Sequence, residues 1–592
     1  MNLIKSVHTS RHLVEFRADN LAGFSTEITA HDFADGVSLV KVSIAIDQPT
    51  KPPSLELRFR QPSLDVCGTW SPNVGRNREI RPDWGGHFRS NATQSAPVVA
   101  LFGPDDTNRL TVACDDALNP IDIRLGLHEE TGMIIATIRA LIEPHSAIRR
   151  YSYAICIDVR PLPLYESLRQ IASWWESLPG YTAAPVPESA RFPMYSTWYS
   201  FHQTLDADSI VDECRRSKSL GCEAVIVDDG WQTLDSNRGY AYCGDWESQR
   251  IPDMASLASR VHDLGMKFLL WYSVPFVGKH SKAFPRFTGK ALSMHHRHGA
   301  IVLDPRFPEV REYLIVLYES HVRQWNLDGL KLDFVDSFSA SEENADQAGD
   351  GRDYTSVYEA VDRLLSEVIA RVRTIRPDIM VEFRQSYVGP LMRKYGNLFR
   401  AGDCPGDYVT NRIRTTDLRM LSGNTAVHSD MIMWHPDESP QRAALQLLNV
   451  LFSVPQISVR LDRINESHRK MLQFWLRFWK GHREVLLDGS FEPIGFASNY
   501  PIISSRLGDK MIIAVLDRGL AALPDVGEVF VINATPDSRV TLDGSSALDR
   551  RKVECFDCCG SVVSEAYQEI DRGIRSWPVP PSGLLHIHKL ST

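Results

Sequence analysis

In the segment DGLKLDF, residues 328–334, a lysine and an aspartate interrupt an otherwise apolar run. Leu330, Leu332 and Phe334 read as one buried strand face, so Lys331 and Asp333 share the other, two residues apart. Burying both charges demands a compensating partner. Similar placements recur through the middle of the chain. Trp198 follows MYST, Asp228 and Asp229 follow EAVIV, and Trp271 falls within KFLLWY. Glu382 and Arg384 end IMVEFR, Arg400 and Asp403 close LFRAGD, and His428 and Asp430 close AVHSD. Parallel strands ending together would bring a cation, carboxylates and tryptophans to one mouth. Such a pocket suits a sugar, whose hydroxyls need several hydrogen bonds and whose C–H faces stack on rings. A single aspartate at a strand end is more often a helix cap or turn former. The joint occurrence at five or more strand ends carries the functional reading.

The elements that must position these residues alternate. Eight strand candidates, MYSTWY, EAVIVDD, KFLLWY, GLKLDF, IMVEF, LFRAGD, AVHSD and QISVR, each precede a helical stretch. The helices include DADSIVDECRRSKSLG, PEVREYLIVLYESHVRQW, DYTSVYEAVDRLLSEVIARVRTI and SPQRAALQLLNVLF, opened by Asp, Ser or Pro as caps and first turns require. Eightfold strand–helix alternation over about 290 residues predicts a (β/α)8 TIM barrel. A doubly wound sheet is the alternative, but no glycine-rich phosphate loop follows the first strand. Before the barrel, SLELRFRQ, RLTVACDD, GMIIATIRAL and RRYSYAICIDV alternate apolar and polar positions, predicting an N-terminal antiparallel β-sandwich. A helix over 163–178 and a proline-bearing linker, YTAAPVPESARFP, follow. KMIIAVLD, EVFVINA and GLLHIHK predict a small C-terminal antiparallel β-domain. The expected divisions are 1–185, 186–485 and 486–592.

The 592 residues are 43% hydrophobic and 23% charged, an ordinary globular composition with room for two to four domains. A net charge of −9 argues against nucleic acid or an anionic membrane as partner. The start, MNLIKSVHTSRHLVEF, lacks the apolar stretch of a signal peptide, and no apolar run approaches membrane-spanning length. Of ten cysteines only Cys555, Cys558 and Cys559 cluster, with no second Cys or His pair at metal spacing. The expectation is therefore a reduced, cytoplasmic protein without metal or cofactor.

Five segments in order, VIVDDGWQ, GDWESQRIPDM, GMKFLLWYSVP, VLDPRFPEVREYL and DGLKLDF, resemble the α-galactosidases of glycoside hydrolase family 36, within the wider melibiase and raffinose-synthase group. The resemblance covers roughly residues 190–460, and the predicted sandwich–barrel–β-domain order is similar to that family's architecture. It implies a nucleophile at Asp333, with Lys331 hydrogen-bonded to sugar hydroxyls. Asp228 and Asp229 would grip the 4- and 6-hydroxyls that mark galactose. Trp246, beside Asp245 in GDW, would line the pocket with Trp198, Trp231 and Trp271, and Glu382, Arg384 and Arg400 would join the substrate contacts. Asp403 would be the acid/base, with Asp407 its alternative. A retaining glycosidase needs one carboxylate to attack the anomeric carbon and a second, about 5–5.5 Å away, to protonate the leaving oxygen.

Two stretches depart from the family pattern. Many bacterial members carry Cys-Ser-Ser-Gly-Gly after strand five, where this chain has EFRQSYVGP, with Arg384 and Gln385. Around Asp403 the chain reads RAGDCPGD, nearer the raffinose-synthase-like branch than the bacterial SDNTD form. A cation at 384 either accepts an anionic or modified substrate or pairs with Glu382, and the pairing is the expectation. The implied function is a retaining α-galactosidase acting on a small carbohydrate or glycoside. The alternatives are another α-glycosidase or transglycosidase of the superfamily, or a carbohydrate-binding protein without catalysis. Whether like chains assemble is left open by the residues.

Overall fold

The computed structural model describes every residue except 22, 74, 342, 343, 345–348, 545, 546 and 590–592. At its centre eight parallel strands form one sheet: Met194–Ser196, Ala224–Val227, Lys267–Ser273, Gly329–Asp333, Met380–Arg384, Leu398–Arg400, Ala426–His428 and Gln456–Ile457. Sequence neighbours are sheet neighbours throughout, with the eighth strand beside the first. Backbone bonds from Ser429 N to Val454 O and from Val454 N to Val427 O bring the seventh strand to the chain leading into the eighth and close the barrel. Strands this short work because both faces are covered: Ala224–Val227 is buried at every position.

Helices cover the outside. Ala207–Leu220 starts at Asp206, whose carboxylate accepts from Asp208 N and Ser209 N. Ser356, Ser439 and Asn465 cap Val357–Ile375, Pro440–Leu448 and Glu466–Gly481 in the same way. One unit departs from the expected alternation. Between strands five and six the described chain has a single 3-10 turn, Met392–Lys394, and no α-helix. The segment is short and carries Pro390 and two glycines, too little helix-forming chain for a packed outer helix.

The N-terminal part holds a seven-stranded and a six-stranded sheet. Val40, Val42 and Ile44 alternate inward from Val37–Thr50 and pack with Leu55, Leu57 and Phe59 from the other sheet. After the barrel come a seven-stranded and a three-stranded sheet, mostly antiparallel, with two parallel pairs, Lys510–Val515 with Glu528–Asn533 and Leu520–Leu523 with Arg539–Gly544. Among the described residues no helix is long and apolar enough to cross a membrane.

One buried carboxylate ties the three regions together. Asp417, on helix Tyr408–Leu421, accepts from Trp70 Nε1 (2.9 Å) and Tyr500 OH (2.5 Å) and pairs with Arg78 (3.3 Å). Burial pushes its pKa up while Arg78 opposes that shift. Removing one member leaves the other charge buried and unpaired, at a cost of about 3 kcal/mol. Asp417→Ala is therefore expected to lower the thermal denaturation midpoint clearly, with Asp437→Ala, an exposed control, leaving it in place. Equal midpoints for the two variants would refute this role.

Candidate active site

Asp333 is the last residue of barrel strand four and only 7% exposed. Its Oδ1 accepts from Arg384 Nε (2.8 Å), Phe334 N (2.8 Å) and the Tyr387 hydroxyl. Oδ2 accepts from Trp271 Nε1 alone among these groups, at 3.1 Å. Burial pushes the Asp333 pKa up, but Arg384, Lys331 and the Tyr387 and Trp271 donors outweigh it and hold the carboxyl well below the usual range. The result is a buried carboxylate that favours the ionised form, with one oxygen holding three donors and the other lightly held.

Lys331, one turn of the pleat below, binds Asp228 Oδ2 at 2.6 Å, with both side chains about 4% exposed. Asp228 Oδ1 accepts from Asp229 N. Asp229 points elsewhere, taking Gln232 Nε2 on Oδ1 and Gln203 Nε2 on Oδ2, each at 2.7 Å. It has amide donors and no cation partner among the described residues, and burial raises its pKa to about 7. Gly230 makes this arrangement possible. Its φ is +115°, and a Cβ there would stand 2.7 Å from Gln203 Cα.

The tryptophans divide. Trp271 and Trp246 meet edge-to-face at 6.0 Å, and Tyr240 stacks on Trp271, also at 6.0 Å. Trp198 opens the short helix after strand one and is half-buried against His202. Trp231 is fully buried, donating to Trp271 O and packed among Trp246, Tyr272, His321 and Trp325. That packing sets Trp231 behind Trp271, and Trp271 and Trp246 are themselves only 1% and 2% exposed. Asp245 accepts from Lys282 N and Ala283 N, a loop-holding role.

Around strands five to seven the pairing differs from the expectation. Glu382 bonds Arg400 (3.3 Å) and Gln456 (2.5 Å), and Arg384 goes to Asp333. The expected Arg384–Glu382 pair does not form. Parallel register explains this, because Glu382 lies level with Lys331, so continuing the ladder sets Arg384 beside Asp333. Arg400, buried, is shared by Glu382, Asp430 (2.5 Å) and Asp403 (3.0 Å), which leaves it an organiser of carboxylates. Asp430 also accepts from Tyr199 OH and Cys404 N, and burial raises its pKa to about 6. His428 is fully buried inside the barrel, bonded to Ala190 O and Gln456.

Asp403 lies three residues beyond strand six with its side chain 49% exposed. Burial and the nearby Asp333 charge push its pKa up, but Arg400, Arg384 and Lys331 prevail and hold it below the ordinary value. Asp407 caps helix Tyr408–Leu421 through Thr410 N and pairs with Arg76 at 2.6 Å. Tyr387, Gln203, Gln232 and Tyr240 complete the site and carry no strand-end signal in the sequence.

The geometry thus places two carboxylates of different exposure at one barrel mouth. The melibiase family model matches residues 187–389, the span that supplies Asp228, Asp229, Lys331, Asp333 and Arg384. The match takes in about a third of the chain, and over that span the chain is similar to melibiases. The bifunctional α-galactosidase/sucrose kinase AgaSK of Mediterraneibacter gnavus is 26% identical over 201 residues, 32% of this chain and 20% of that protein. The α-galactosidase of Escherichia coli is 30% identical over 112 residues, 18% of this chain and 16% of that protein. These matches to curated relatives span a fifth or less of their length. Among solved structures, a GH36 α-galactosidase AgaA variant from Geobacillus stearothermophilus in complex with raffinose covers 99% of this chain and 85% of its own, with a TM-score of 0.64 and 14% identity. At that identity the likeness concerns the fold, which this chain shares along nearly its whole length.

Proposed function

We propose that this chain is a retaining α-galactosidase of the melibiase family. The observation that carries the reading is Asp333, ionised and buried, with Oδ1 fixed by three donors, Oδ2 held by Trp271 alone, and the half-exposed Asp403 near enough to feel its charge. In the first step Asp333 Oδ2 attacks the anomeric carbon while Asp403 gives its proton to the departing glycosidic oxygen. A covalent glycosyl–Asp333 ester results. In the second, Asp403 takes a proton from water, whose oxygen attacks the same carbon and releases Asp333, restoring the starting anomeric configuration. Trp271 and Trp246 would support the C–H face of the sugar. The E. coli and M. gnavus relatives are α-galactosidases by name, and related structures hold raffinose, stachyose or 1-deoxygalactonojirimycin. Because Arg384 is engaged by Asp333, a neutral oligosaccharide suits the site better than an anionic one. The ten unpaired cysteines fit a reducing compartment, and we place the protein in the cytoplasm.

Sugar choice rests on Asp228 and Asp229. Each buried carboxylate retains acceptor capacity that a sugar hydroxyl would use, and charged acceptors make the stronger bonds. A glucoside, with its 4-hydroxyl equatorial, would leave one carboxylate short of a partner, costing about 1–3 kcal/mol. The expected preference for nitrophenyl α-galactoside over α-glucoside is at least about tenfold in kcat/KM. Equal or reversed values would overturn the galactose assignment, and no turnover of any glycoside would favour a binding protein.

A further inference from the structure

We propose that Glu554, His586 and His588 form a binding site for one divalent transition-metal ion on the C-terminal sheet, away from the barrel mouth. His586 and His588 lie two residues apart on strand Leu584–Lys589, so their rings share one face while Leu585 and Ile587 point into the core. The antiparallel neighbour Leu548–Phe556 sets Glu554 directly opposite His586. The ligand atoms converge as a result. Glu554 Oε2 stands 3.5 Å from His586 Nδ1 and 3.3 Å from His588 Nε2, and all three atoms lie within 4.8 Å of one another. A tetrahedral ion with bonds of about 2.0–2.1 Å spaces its ligands by about 3.4 Å.

The surroundings prepare these atoms for an ion. Glu528 Oε1 accepts from His586 Nε2 at 2.9 Å, which orients the ring with Nδ1 toward Glu554. An ion between Nδ1 and the Glu554 oxygen would be held by both. Lys552 does not fill that position, because its ammonium holds the other carboxylate oxygen, Oε1, at 2.8 Å. Phe530 stacks on His586 at 4.2 Å and His586 on His588 at 4.5 Å, fixing both rings. Two imidazoles and one carboxylate select zinc, cobalt, nickel or copper over magnesium or calcium. The side chains are 17–29% exposed, so water can complete the coordination.

The test is calorimetric titration of the full, chelator-treated chain with Zn²⁺, and absorption spectroscopy with Co²⁺. One saturable equivalent is expected, with tetrahedral Co²⁺ bands and no response to Mg²⁺. His588→Ala and, separately, Glu554→Gln should abolish saturable binding, and Glu528→Gln should weaken it by about 10–100-fold. Cys558→Ser with Cys559→Ser should leave it unchanged, and glycoside turnover should persist in every variant as the measure of intact folding. Absence of a saturable equivalent, or binding that survives both ligand variants or disappears with the cysteines, would overturn the proposal.

Discussion

Asp333→Ala is expected to lower kcat/KM on α-galactosides by on the order of 10⁴-fold or more, because no other group can form the ester intermediate. The expectation comes from the asymmetry of the carboxylate. Arg384, Tyr387 and Phe334 N fix Oδ1, and the single Trp271 bond leaves Oδ2 as the attacking atom. The same contacts define the pH behaviour. The native pKa lies below the unfolded value, so the pairing stabilises the fold above the unfolded pKa. That stabilisation is lost only as pH falls through the depressed native value, so the acid limb of activity cannot belong to Asp333 near pH 4–5. Azide added to Asp333→Ala would enter the vacated space and attack an activated substrate directly, giving the product of inverted configuration. The fold check is the denaturation midpoint, since Arg384 and Lys331 lose a partner. Activity within tenfold of the parent, or azide product of retained configuration, would refute Asp333 as nucleophile.

The barrel was legible because its strands are short apolar runs interrupted only at their ends, as in AVIVDD and GLKLDF. Polar residues there have few structural uses in common, so their recurrence located the mouth. Partners were less legible. Pairing Arg384 with Glu382 used spacing along one strand, whereas parallel register sets Glu382 beside Lys331, one layer deeper. Register across strands depends on where each strand begins, which no local pattern in a fully buried strand reveals. The Asp407 cap was open to a simpler reading, since Thr410 and a helical run follow it at capping distance.

Other site residues left no trace. Tyr387 sits in QSYVGP, which reads as a turn, and reaches Asp333 only through the fold of the strand-five loop. Gln203 and Gln232 approach Asp229 from two separate loops, and the close passage at Gly230 that joins them is a property of tertiary packing. Trp231 shows how far a motif reaches. Its position in DDGWQ resembles a site segment, yet its ring packs into the core behind Trp271. A motif fixes the neighbourhood of such a side chain; packing decides which way it faces.

Asp403→Ala is expected to separate substrates by leaving group. Loss of general acid catalysis costs about 10²–10⁴-fold. That loss should fall in full on raffinose-type substrates, whose sugar leaving group needs a proton, and far less on nitrophenyl α-galactoside, whose leaving group departs as an anion. Because Asp403 also activates water in the second step, the ester should accumulate and KM for the nitrophenyl substrate should fall. Azide should then restore turnover with retained configuration, opposite to its product with Asp333→Ala. Asp407→Ala, which removes a helix cap, should change neither the ratio nor the azide response. The charges at Asp403 add an independent readout. Arg400 and Arg384 hold its carboxyl ionised in the empty site, so the free enzyme should lose kcat/KM as pH rises through an acidic range. Arg384→Met removes one of those cations, the Asp403 pKa rises, its proton is retained to higher pH, and the basic limb should move upward even where the rate itself falls. Equal losses on the two substrate classes in Asp403→Ala, together with an unmoved limb in Arg384→Met, would assign the acid to another group.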